Sequence, residues 1–155
     1  MIDATDARIL SILQADARTP NAEIARQVGL APSAVFERIK KLEARGLVRG
    51  YEALLDARQL GLGLTAFVFI RAEERGGEET TGARISAIPG VQEVHHVAGE
   101  DCFLVKVRAP DTESLGRLLR EGFGAIDTVR STRTTIVLST VKETGRLPIP
   151  GVAND

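Results

Sequence analysis

A single cysteine, Cys102, is all the thiol chemistry in this chain of 155 residues. No intrachain disulfide or multi-thiolate metal site can form from it, and a reducing compartment suits it. Charge of one sign is lacking as well. Lys and Arg number 20 against 21 Asp and Glu, a net of -1, so neither overall basicity nor an acidic tail can define a partner. Long apolar runs are missing: none approaches the ~18 residues needed to span a bilayer. The opening Met1-Ile2-Asp3-Ala4-Thr5-Asp6 carries acids where a signal peptide needs bases, which points to the cytoplasm. Gly-rich phosphate loops, Ser-His-Asp sets and paired catalytic carboxylates cannot be assembled either, so no enzyme and no cofactor is expected.

What is present is 43% apolar and 26% charged residues, the balance of a protein with a packed core. The length suits one average domain or two small ones. The hydrophobic period changes near residue 62. Before it, Ile9, Leu10 and Leu13, then Ile24, Ala25 and Val28, then Val35, Ile39 and Leu42 recur at helical spacing. After it, 64–71, 91–97, 103–107 and 134–141 read as strands, and 79–88 and 112–123 as helices. Strand, helix, strand, strand, helix, strand is the split βαβ, ferredoxin-like order. The expected domains are therefore 1–55, a linker at 56–63, 64–142, and a loose tail at 143–155.

In the first half, Asp3 can cap a helix from Ala4 to Ala15. Thr19-Pro20 marks a second start, and that helix ends at Val28-Gly29. Leu30-Ala31-Pro32 opens a third, which runs to Arg45 and stops at Gly46. A short helix, a glycine turn and a longer helix make a helix-turn-helix. The segment 48–55, with Gly50 and Tyr51, reads as an extended wing. On the third helix one face is apolar, while 38–49 holds five basic residues, Arg38, Lys40, Lys41, Arg45 and Arg49, against one acid, Glu43. Positive charge is thus concentrated where a recognition helix meets phosphate. Ser33, Ala34, Glu37 and Arg38 near the helix start are candidates for base edges in a major groove of double-stranded DNA.

These residues resemble the Lrp/AsnC (leucine-responsive and asparagine-operon regulator) family of bacterial and archaeal transcription regulators. The resemblance spans roughly residues 2–147. It rests on Ile2-Asp3 with Asp6, Glu23-Ile24-Ala25 with Val28-Gly29-Leu30, Pro32-Ser33 with Arg38-Ile39, and Gly46-Leu47-Val48 with Gly50-Tyr51. Ile88-Pro89-Gly90-Val91, Val97-Ala98-Gly99, Pro110-Asp111 and Thr132-Arg133-Thr134 carry it in the second half. It implies an α+β protein, with a winged helix-turn-helix followed by a ferredoxin-like βαββαβ domain that oligomerises and senses an amino-acid effector. Dimers that assemble into tetramers or octamers are implied, as is DNA contact over 21–40, which adds Asn21 and Gln27. The effector site falls on the loop Val97, Gly99, Glu100, Asp101 and Cys102, with Thr132, Thr134 and Ile136 facing a neighbouring subunit.

Gly99 lets the backbone approach a ligand, so that main-chain N–H and C=O groups can meet its α-carboxylate and α-amino group. Glu100 or Asp101 can offset the ammonium. The loop equally fits a plain β-turn. Two positions depart from the family. Cys102 stands where an Asp is usual, so Asp101 substitutes for it, or the ligand differs, or there is none; Ala31 stands where a Ser often caps the recognition helix. His95 and His96 are adjacent in a strand and point to opposite faces, so one chain cannot use both on one metal; a packing or ligand-lining role suits them, and no metal is expected. The competing readings are an effector-independent architectural DNA-binding protein and a decarboxylase on the same scaffold.

Overall fold

The computed structural model describes residues 2–73 and 80–152. The chain divides into two compact units: Met1–Leu54 together with Lys142–Asp155, and Leu55–Val141.

The first unit is helical. α1 (Ala4–Ala15) starts where the Asp3 carboxylate accepts the Asp6 N–H, filling one of the orphan donors of the first turn. α2 (Asn21–Val28) is capped by the Pro20 backbone rather than by Thr19, whose hydroxyl donates instead to the Asp16 carbonyl. Its last turn closes on Gly29, at φ +70°, and the Leu30 N–H returns to the Ala25 carbonyl. A side chain at this left-handed position costs about 1–2 kcal/mol, which is why glycine turns the chain here. After only Gly29, Leu30 and Ala31, α3 (Pro32–Ala44) begins with proline in its first turn, where the missing N–H is no loss. Ile9, Ile24, Ala25, Val35, Ile39 and Leu42 form the shared core.

The expected extended segment 48–55 forms no strand of the sheet. The Val48 N–H bonds to the Leu42 carbonyl, and Tyr51 donates its hydroxyl to Glu43 at 2.9 Å. The tail expected to be loose is held. The Gln14 side-chain amide donates to the Leu147 carbonyl and accepts the Leu147 N–H, at 2.8 and 2.7 Å, and Arg146 donates to the Ala15 carbonyl.

In the second unit, residues 56–62 make a tight turn on Asp56, whose carboxylate accepts the N–H groups of Arg58 and Gln59. Four strands follow: β1 (Leu64–Ala72), β2 (Val91–His96), β3 (Phe103–Ala109) and β4 (Val129–Ile136). They form one antiparallel sheet in the order β2-β3-β1-β4, the ferredoxin-like order. α4 (Thr80–Ser86) and α5 (Thr112–Arg117) are its helices; Glu79, the expected first residue of α4, lies outside the described residues. Ala66, Val68, Ile70, Phe103, Val105 and Val107 turn one face inward onto Ile85, Leu115 and Phe123.

Two elements differ from the sequence reading. The helix expected over 112–123 is α-helical only to Arg117; it continues as a π turn (Leu118–Gly122) and a 3-10 turn (Phe123–Ala125). Glycines at 116, 122 and 124 lower the cost of leaving α geometry. β4 lies five residues before the strand expected at 134–141. Its pairing with β1 ends at Ala66 and Ile136, and Val137 makes the last hydrogen bond, to Thr65. Thr140 and Val141 of the β-branched run fall, in this register, beyond the start of β1 at Leu64, where that strand has no backbone to pair with them.

Candidate nucleic-acid interface and effector site

Val35, Ile39 and Leu42 anchor α3 inward, so its phase leaves Ser33, Phe36, Glu37, Lys40, Lys41 and Arg45 exposed. Ala34, Glu37, Arg38, Lys41 and Arg45 line one open groove of about 550 Å³, with Asp6 of α1 on its wall.

Arg38 is already engaged within the helical unit. Its guanidinium donates to Asp3 and to the buried Asp6, each at 2.7 Å, and so bolts α3 to the N-terminus of α1. It lies on the flank of α3 that faces α1. Asp3 is held below the usual carboxylate range, first by the Asp6 N–H and then by Arg38. Arg38 is raised in turn, by Asp3 and then by Asp6. Gln27 is also engaged, donating to Glu23, which pairs with Arg26 as well. Asn21 and Ala34 are half-buried, whereas Ser33, Lys41, Arg45 and Arg49 are exposed. Lys40 is exposed too, its ammonium 4.8 Å from the centre of the Phe36 ring. Sequence reasoning passed over Phe36: the phase given by Val35, Ile39 and Leu42 puts it off the buried face, but an apolar residue there was not weighed as a contact surface.

In the sheet unit, Val97 to Cys102 form the β2–β3 loop, closed by the Val97 N–H on the Cys102 carbonyl. Gly99 has φ +132° with open space where a side chain would stand, and Glu100 is exposed. Asp101 is taken up by Arg133 of β4, at 3.0 Å, and the Arg133 guanidinium covers the Phe69 ring at 4.1 Å. Arg133 is thus a second residue missed, although it stands inside the Thr132-Arg133-Thr134 motif.

Cys102 is half-buried, and its thiol donates to the Ala72 carbonyl at 3.2 Å beside the irregularity in β1. Thr132, Thr134 and Ile136 lie opposite Ile70, Val68 and Ala66, on the helix side of the sheet but at its uncovered edge. Ile136 is four residues along β4 from Thr132, about 13 Å. One chain therefore joins the loop to Arg133 but spreads the remaining site residues along an open strand.

His95 and His96 oppose Leu104 and Phe103, on the two faces of the sheet. His95 meets Glu93 at 3.3 Å, and His96 packs on Phe103 with ring centres 5.1 Å apart. Among the described residues no His, Cys, Asp and Glu cluster of three suits a metal ion, and no helix is long and apolar enough to cross a membrane.

Two family models match the chain: an AsnC-type helix-turn-helix domain over residues 2–43 and an Lrp/AsnC ligand binding domain over 65–147. The leucine-responsive regulatory protein of Salmonella typhimurium is 36% identical, over 96% of this chain and 92% of its own length. That of Escherichia coli K12 is 35% identical over the same shares. Among solved structures, a transcriptional regulator from Neisseria meningitidis in complex with L-Met superposes with a TM-score of 0.89 at 30% identity, over 97% of this chain and 98% of that one. A feast or famine regulatory protein from M. tuberculosis complexed with L-methionine gives 0.88 at 35% identity, over 97% and 100%.

Proposed function

The chain belongs to the Lrp/AsnC family of DNA-binding transcriptional regulators, and on that premise we propose that it reads operator DNA with α3 and answers to an amino acid of the L-methionine kind. The observation that carries this is the outward face of α3: Ser33, Lys40, Lys41 and Arg45 stand exposed on a helix fixed by a three-residue turn. Such a helix presents base-reading and phosphate-pairing groups together. A dimer is part of the reading, because two recognition helices about 34 Å apart match successive major grooves. The sheet face away from the helices, with Phe67, Phe69 and Leu104 only half-buried, offers the apolar area for that pairing. Further assembly into tetramers or octamers brings a neighbour to Thr132, Thr134 and Ile136.

The two relatives complexed with L-methionine support an effector of that class. With the Cys102 thiol turned to Ala72, recognition rests on main-chain groups near Gly99, on Asp101 and on Glu100. A binding role rather than catalysis, and a place in the cytoplasm beside DNA, follow from the same reading.

Light-scattering mass with and without each of the twenty amino acids tests it, paired with gel-shift titrations on DNA from upstream of the protein's own coding region. L-methionine or a close analogue should change mass and DNA affinity together. DNA binding with no response to any of the twenty would leave an effector-independent architectural protein instead.

A further inference from the structure

We infer that Phe36 sets base specificity, by packing its ring on the C5-methyl group of a thymine in each half-site; this rests on the assignment of α3 to operator DNA. Phe36 is 44% exposed, although a phenylalanine side chain gains some 1.5–3 kcal/mol on full burial. The helix phase that sends Val35, Ile39 and Leu42 inward sends Phe36 to the outer face beside Lys40, one turn on. The Lys40 ammonium stands 4.8 Å from the centre of its ring. A ring so placed is an apolar contact surface flanked by a cation. The major groove offers one apolar base feature, the thymine methyl, amid acceptors and phosphates that favour a nearby ammonium. Phe36 lies in the first half of α3, the part of a recognition helix that reaches base edges. Ser33, one turn earlier on the same face, is exposed and supplies a hydroxyl for the neighbouring base pair.

The test begins with selection of binding sites from a random-sequence duplex library by the full-length protein. Dissociation constants are then measured for the best site and for versions in which each thymine is replaced singly by deoxyuridine, which removes only the methyl. One thymine per half-site should lose about fourfold on replacement, the equivalent of one buried methyl. The Phe36→Ala variant should bind thymine and deoxyuridine versions equally, and Phe36→Leu should keep part of the preference. Circular dichroism and light-scattering mass establish that each variant is folded and assembled. Equal deoxyuridine losses in wild type and Phe36→Ala, or no loss in the wild type, would overturn the inference while leaving the regulator reading intact. A fall in mass for Phe36→Ala would overturn it in favour of an interface between copies of the chain. Failure of the wild type to select any sequence would remove the regulator reading and this inference together.

Discussion

The charged residues of α3 divide into two kinds, and salt titrations separate them. Arg38 already has Asp3 and Asp6 as counter-ions, so it releases few ions on binding DNA; Lys41 is exposed on the outer side. Lys41→Ala should weaken binding and make the slope of log K against log salt shallower by about 0.9, one phosphate contact. Arg38→Ala should leave that slope unchanged. It should instead destabilise the helical unit by about 1 kcal/mol, once solvent screening of a partly exposed pair is allowed for, as thermal denaturation would record. Tyr51 provides a second measurement, because it is the only tyrosine and tryptophan is absent. Burial, and then the hydrogen bond to Glu43, push its phenol up to about 12. Ultraviolet titration of the folded protein should find tyrosinate appearing near that pH rather than near the ordinary value of about 10. A folded value raised above the unfolded one means that this stabilisation is complete below about pH 10 and fades as pH rises towards 12.

Among the described glycines, Gly90 is the one least able to accept a side chain. It turns the chain into β2 at φ +88°, and a Cβ there would stand 2.8 Å from the Arg108 carbonyl oxygen, while the Arg108 N–H bonds to the Gly90 carbonyl. Gly90→Ala should cost roughly 1–3 kcal/mol in denaturant unfolding. The elements themselves were legible where a local signal and the tertiary partner agree: Asp3 capping α1, Gly29 ending α2, Pro32 opening α3. They were misread where the partner decides. Thr140 and Val141 favour a strand by composition, but in the register of β4 they fall beyond the start of β1 at Leu64. The wing segment 48–55 reads as extended and has no strand to join. Likewise, the basic residues of α3 were legible as a group, whereas the diversion of Arg38 to α1 was not. That depends on Asp3 and Asp6 lying 35 and 32 positions away in sequence. Phe36 was passed over for a different reason: the phase given by Val35, Ile39 and Leu42 already puts it off the buried face, but an apolar residue there was not weighed as a contact surface.

At the scale of the whole molecule, the helical unit is assembled from two segments, Met1–Leu54 and Lys142–Asp155, separated in sequence by the sheet unit. Hydrogen exchange should show it directly, with the Leu147 amide protected alongside α1. Gln14→Ala should speed exchange at Leu147 by more than tenfold while leaving the strand amides unchanged; equal exchange in the variant would show the pairing to be absent in solution. Gln14 and Leu147 are 133 positions apart, and that separation bears on how the protein is made. At about 5–20 residues per second, a ribosome delivers α1, α2 and α3 on the order of ten seconds before Leu147. Throughout that interval the Gln14 amide and the Ala15 carbonyl face water. The three helices can pack as soon as they emerge, but the seat at the end of α1 is filled only by a stretch synthesised 133 residues after Gln14.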